Sequence, residues 1–174
     1  MPGGLVDSIS SAERLDLYRF LSELGKPGPF DASKSSVARA WKLFPQTLAL
    51  AQFGDEKILA TDLTNKAWLP AIALVDGRLL KEELNRVLDE VKQRDPRAVY
   101  AAARFEVSKA GPVSFKFEGG EAAQVWMDGK PMAGGHAFTP DVQVGRHTAI
   151  IKLDSRNLPD AIRLGSADVT FLAN

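Results

Sequence analysis

The period of the apolar residues changes at Pro96, and that change limits what this chain can fold into. Before it, Leu80, Leu84, Val87, Leu88 and Val91 recur at helical spacing, which turns one side of a helix inward. After it the period falls to two. Ala101, Ala103, Phe105 and Val107 alternate with Ala102, Arg104, Glu106 and Ser108. Val113, Phe115 and Phe117 alternate with Ser114 and Lys116. Ala123, Val125 and Met127 alternate with Gln124, Trp126 and Asp128, and Ala149, Ile151 and Leu153 alternate with Thr148, Ile150 and Lys152. A shorter run of this kind, Val169 and Phe171, ends the chain. Successive strand side chains point to opposite faces, so each run offers one face to a core. Ala110-Gly111-Pro112, Gly119-Gly120, Asp128-Gly129 and Val144-Gly145 separate the runs. Short alternating strands spaced by turns predict an antiparallel sandwich or barrel. Asp128-Gly129 suits a two-residue type I′ hairpin, because both residues tolerate positive φ. The register places Phe105, Val107, Phe115, Phe117, Val125, Ile151 and Leu153 inside.

The first half is helical and extended by turns. A helix is expected over residues 10–24. Ser10 and Glu13 fit a capping box, and Leu17, Leu21 and Leu24 share a face. Gly25 and Pro27 end it. Residues 26–35 read as a Gly/Pro linker. A strand is expected from Val37 to Phe44, closed by Pro45, and another from Trp68 to Val75, closed by Asp76-Gly77. Residues 46–66 fit short helical or extended pieces equally. The amphipathic helix spans 79–94, with Glu82–Arg86 and Glu90–Arg94 as favourable pairs, and Asp95-Pro96 stops it. The expected fold class is mainly β with helices: an antiparallel β-sandwich over 36–174 carrying one inserted amphipathic helix, preceded by a detached N-terminal helix.

Bulk chemistry removes several functions. Lys and Arg number 22, as do Asp and Glu, for a formal net charge of zero over 174 residues. A nucleic-acid binder usually carries a basic excess or stripe, so none is expected as a partner. No apolar run nears the roughly 18 residues of a membrane span; the longest stretch, 67–75, contains Pro70. The chain has no cysteine. Disulfides, thiolate metal sites, a cysteine nucleophile and thioether attachment of haem are thereby excluded. Residues 1–4 show no basic segment leading into an apolar one, so no signal peptide is expected in this chain.

Two segments carry a resemblance. Met1-Pro2-Gly3-Gly4-Leu5-Val6-Asp7-Ser8-Ile9, with the helix ending Phe20-Leu21-Ser22-Glu23-Leu24-Gly25-Lys26-Pro27-Gly28-Pro29, resembles the end of a cytochrome c domain, as in the multidomain haem-binding proteins called PVC-type cytochromes. Phe105-Glu106-Val107, Val113-Ser114-Phe115-Lys116-Phe117, Val125-Trp126-Met127-Asp128-Gly129-Lys130-Pro131 and Val144-Gly145-Arg146-His147-Thr148 are similar to the accessory domain of that family, and to PA14 and carbohydrate-binding sandwiches. The resemblance implies that residues 1–25 are the remnant of a cytochrome c C-terminal helix. It implies haem c as cofactor of the full-length family, none in this chain, and a periplasmic or exported location. It also implies Met1 as an axial haem ligand, in a full-length parent only. The Cys-x-x-Cys-His attachment motif of the family is absent here.

Among the remaining candidates, Trp126, Asp128 and Lys130 stand out. The register that buries Val125 and Met127 puts Trp126 on the opposite face beside these two polar groups. Such a cluster serves either to stack a sugar or to pack beneath a neighbouring domain. His136 and His147, eleven residues apart on different turns, fit no metal spacing, and structural or surface roles are expected. No phosphate loop or nucleophile elbow is present. The expected function is a non-catalytic accessory module, docking or ligand-binding, of an exported haem-binding electron-transfer protein. Its partners are other domains of that parent, a redox partner or a glycan. A free-standing carbohydrate-binding module is the alternative, and a hydrolase with a carboxylate pair is a third reading.

Overall fold

The computed structural model describes residues 10–23, 35–52, 54–92, 95–120 and 122–173. Met1, the linker over 26–34 and Arg94 lie outside these residues. The chain divides into two units, Met1–Lys34 and Ser35–Asn174. Ser35, which the composition assigns to the linker, already belongs to the second unit: its carbonyl accepts the Phe171 N–H at 2.9 Å.

In the first unit, helix α1 covers Ser11–Glu23. Its capping box is formed as the residues dictate. The Ser10 N–H donates to Glu13 Oε2 at 2.7 Å, and the Glu13 N–H donates to Ser10 Oγ at 3.3 Å. Two of the orphan donors at the helix start are thereby satisfied.

The second unit is a mainly β, antiparallel sandwich with a few short helices. In chain order it holds β1 (Ala40–Thr47), α2 (Leu48–Ala51), α3 (Gly54–Leu59), β2 (Leu69–Ile72), β3 (Leu79–Leu80), α4 (Lys81–Asp89), β4 (Pro96–Val107), β5 (Gly111–Pro112), β6 (Phe115–Glu118), β7 (Gln124–Met127), β8 (Lys130–Pro131), β9 (Ala137–Phe138), β10 (Asp141–Val142), β11 (Gly145–Asp154), β12 (Ala161–Gly165) and β13 (Thr170–Phe171). The larger sheet runs β2-β1-β4-β11-β7-β8, with β13 also paired to β4. The smaller runs β3-β12-β6-β9, and β5 pairs with β10.

The main core lies between the two sheets. Val99, Ala101, Ala103, Phe105 and Val107 of β4, Ile151 and Leu153 of β11, and Val125 of β7 meet Phe115, Phe117, Ile162 and Leu164 of the smaller sheet. All seven residues that the period-two pattern places inside are buried. The Phe105 ring meets Phe115 edge-on, with centroids 5.1 Å apart, and Phe115 stacks on Phe138 at 5.4 Å. Full burial of an apolar side chain of this size stabilises by about 1.5–3 kcal/mol. The hairpin between β7 and β8 turns on Asp128 and Gly129, at φ 49° and 78°, with Met127 opposite Lys130.

Several boundaries differ from the sequence reading: β1 begins at Ala40 instead of Val37, β2 covers Leu69–Ile72 instead of 68–75, and α4 ends at Asp89 instead of running to 94. Strand β1 runs through Pro45 to Thr47 instead of ending at Phe44. Its neighbour β2 pairs only as far as Leu43, so on that side the missing proline donor breaks no ladder bond. The amphipathic helix begins at Lys81, not Leu79, because Leu79 and Leu80 pair with Ile162 and Ala161. It then presents Leu84, Val87 and Leu88 to the core. Arg86 bridges Glu83 at 3.0 Å and Glu90 at 3.6 Å, in place of the expected Glu82. Gly111-Pro112, expected as a turn, forms the short strand β5 against β10.

Candidate functional site

The face of the larger sheet turned away from the smaller one is also covered. Phe44, Ala98, Tyr100, Ala102 and Ile150 project from β1, β4 and β11 and pack with Ile58, Leu63 and Trp68 of the segment between β1 and β2. Four residues of α2 and six of α3 are too few to be stable helices alone. Packing and a polar anchor hold them. Asp55, in the first turn of α3, accepts the Tyr100 hydroxyl at 2.6 Å and the Lys152 ammonium at 2.7 Å on one carboxylate oxygen. Tyr100 and Lys152 are direct partners across β4 and β11, and the Lys152 Nζ stands 5.6 Å from the Tyr100 ring centroid.

The electrostatics of this triad are those of a structural lock. Partial burial pushes the Asp55 carboxyl up, but the hydrogen bonds from Lys152 and Tyr100 and the lysine charge outweigh it and hold it below its ordinary range. Burial foremost, then the hydrogen bond to Asp55 and its negative charge, push the Tyr100 phenol far above its ordinary value. A fully buried phenol held protonated against a carboxylate acts as a donor and an anchor. The sequence reading did not single out this triad. Its one signal is a tyrosine set in a strand otherwise rich in alanine, a polar tip that needs a buried acceptor.

Next to the triad, where β4 begins and β11 ends, lies a cleft of 330 Å³ lined by Arg97, Gln124, Lys152, Asp154 and Arg156 above Ala98, Ala122 and Leu153. Asp154 Oδ1 accepts the Arg156 N–H at 2.9 Å, and Ser155 Oγ donates to the Pro96 carbonyl at 2.8 Å. The turn carrying Arg156 is thus tied to the start of β4. Arg97 bridges Asp95 through Nη2 at 2.8 Å, whereas its Nε is buried with no hydrogen-bond partner among the described residues.

The residues singled out from sequence occupy the other end of β7. Trp126 lies opposite Ile150 and Pro131, outside the main core that takes in Val125 and Met127. It keeps only 9% of its surface exposed, which leaves little ring face open to a sugar. Asp128 is engaged internally. Its Oδ2 lies 2.7 Å from His147 Nδ1, and its Oδ1 accepts the Thr148 N–H at 2.9 Å. Lys130 is exposed. The three are therefore near one another in the hairpin, with Asp128 pinning it to the start of β11. His147 stacks on Phe105 at 5.6 Å and places Nε2 2.8 Å from the Gln143 carbonyl. His136 stacks on Phe117 and lies 3.2 Å from the carbonyl of that residue. Met1 lies outside the described residues. Among the described residues no helix is long and apolar enough to cross a membrane.

No protein-family model matches the chain. No curated protein matches it either. Among solved structures it is similar to a GH31 α-xylosidase from Xanthomonas citri, with 17% identity and a TM-score of 0.35, over 78% of this chain and 16% of that one. The chain thus spans about a sixth of the xylosidase, and a likeness this distant carries no functional argument.

Proposed function

We propose that the chain is a non-catalytic accessory module, docking or ligand-binding, of an exported haem-binding electron-transfer protein whose redox chemistry lies elsewhere in the parent. The resemblance of residues 1–29 to the end of a cytochrome c domain supports this. So does the division into a helix-bearing unit and a sandwich at Lys34/Ser35, the order that the resemblance implies. In that reading haem c belongs to the full-length parent, with Met1 as its axial ligand there, and the setting is periplasmic or exported.

The observation that carries the docking role is an apolar edge. Strand β2 is the outermost strand of the larger sheet. From its end, Ile72 is 78% exposed and Val75 84% exposed, with Leu74 at 43% between them. Exposed apolar side chains at the end of an edge strand mark an interaction site, although on β2 the Pro70 carbonyl already accepts from Arg86 Nη2 at 2.9 Å. The partner is another domain of the parent protein or its redox partner.

The test is made on the full-length gene product. Covalent haem is measured from the pyridine haemochrome spectrum, and the sandwich position by crosslinking. The expected result is haem c in the parent and loss of sandwich crosslinks in an Ile72→Asp/Val75→Asp double variant with its haem retained. A parent without haem overturns the electron-transfer setting. Unchanged crosslinks overturn docking through this edge.

A further inference from the structure

We infer that the cleft at the end of the larger sheet binds a small hydroxylated organic anion of the sugar-acid class. This deepens the ligand-binding half of the accessory-module reading and does not depend on a haem-bearing parent. The cleft, at 330 Å³, falls in the range of about 300–1,000 Å³ typical of small-molecule sites. It adjoins a second hollow of 390 Å³, with Ala122, Leu153 and Asp154 common to both.

Three cationic side chains reach this cleft from different places: Arg97 at the start of β4, Lys152 near the end of β11 and Arg156 on the turn that follows. Their ion pairing is unequal. Lys152 is held by Asp55, and Arg97 spends Nη2 on Asp95. The Arg156 guanidinium has no hydrogen bond or ion pair among the described residues, although its backbone is fixed by Asp154. A carboxylate placed between Arg97 and Arg156 meets the planar guanidinium fork that matches its geometry.

The rest of the lining rejects a bare anion. Asp154 brings a negative charge to the same cleft, with one oxygen committed to the Arg156 N–H and the other available as an acceptor. Gln124 is exposed at the rim and offers both a donor and an acceptor. These groups call for hydroxyls on the ligand, while the exposed Ala122, beside the buried Ala98 and Leu153, offers apolar surface to its ring. A neutral sugar leaves the arginines unanswered, and phosphate has no ring to set against Ala122 and fewer hydroxyls than a sugar acid for Asp154 and Gln124. Discrimination of this kind comes from the polar groups that the wrong ligand leaves unpaired.

The test is calorimetric and NMR titration of the whole chain with galacturonate, galactose and inorganic phosphate at low ionic strength. The expected result is saturable binding of galacturonate, about tenfold tighter than galactose or phosphate, with amide shifts at Arg97, Gln124 and Asp154. Arg156→Ala, on an exposed turn, should weaken galacturonate binding by about tenfold without changing the thermal unfolding profile. Absence of galacturonate binding, equal binding of all three probes or wild-type binding by Arg156→Ala would each overturn the inference. None of these outcomes bears on docking through the β2 edge.

Discussion

The two faces of the larger sheet are both buried, but by different physics. The inner face is closed by the smaller sheet through apolar side chains alone along β4 and β11, from Val99 to Val107 and from Ala149 to Leu153. The outer face is closed by the segment between β1 and β2, and there Tyr100 and Lys152 reach out of the sheet to Asp55. Burial of apolar area is non-directional and needs only the right face and about the right volume. A buried phenol and a half-buried ammonium need one acceptor in one place. The inner face therefore makes the scaffold. The outer face, whose rim passes into the arginine-lined cleft, carries the directional polar groups.

The two faces differ most sharply within one strand. Ile151 points inward and Ile150 outward, and both are buried. Ile151→Ala should cost stability at the upper part of the roughly 2–5 kcal/mol range for such truncations, since rigid sheets surround it. Ile150→Ala should fall at the lower part, because the short elements above it can settle. Urea titration of the two variants measures both, and equal losses would erase the distinction.

Next in size is Tyr100→Phe, which removes one donor to Asp55 and should cost about 1–2 kcal/mol. Acid should act on the same anchor. The Asp55 carboxyl is depressed below its ordinary value of 3.8 in the folded state, so above that value its pairing contributes fully. The contribution is lost as pH falls through the folded value, where the carboxylate takes up a proton. Asp55→Asn should therefore lower stability at neutral pH and flatten the acid limb of the stability profile. A parallel displacement of the whole profile would contradict that assignment. The smallest effect is expected at the cleft rim, where Gln124→Ala should change stability by no more than about 0.5 kcal/mol.

The same contrast decides what could be read from sequence. Phe105, Val107, Phe115, Phe117, Val125, Ile151 and Leu153 announce themselves by alternation alone, and all are buried. Ser10 with Glu13, and Asp128 with Gly129, are local motifs whose partners lie within a few residues. Asp55 is different: its partners stand 45 and 97 residues away, a pairing that no local pattern encodes. Residues 46–66 resisted assignment for the same reason, since α2 and α3 are one or two turns long and exist only against the sheet. Alternation assigned Trp126 to the outer face but could not tell that this face is covered there too. The cleft was equally hidden, because Arg97, Gln124 and Arg156 meet only once β4, β7 and β11 are in register.

The Asp55–Tyr100–Lys152 lock holds the segment between β1 and β2 against an independently stable sheet. Native-state hydrogen exchange on wild type and Tyr100→Phe tests this most directly, because it reports the opening of each segment separately. The expected result is that amides in residues 54–63 lose protection in Tyr100→Phe by more than those of β4, β11 and β12. Equal loss of protection across both regions would mean that the two faces form one cooperative unit, and would contradict the account.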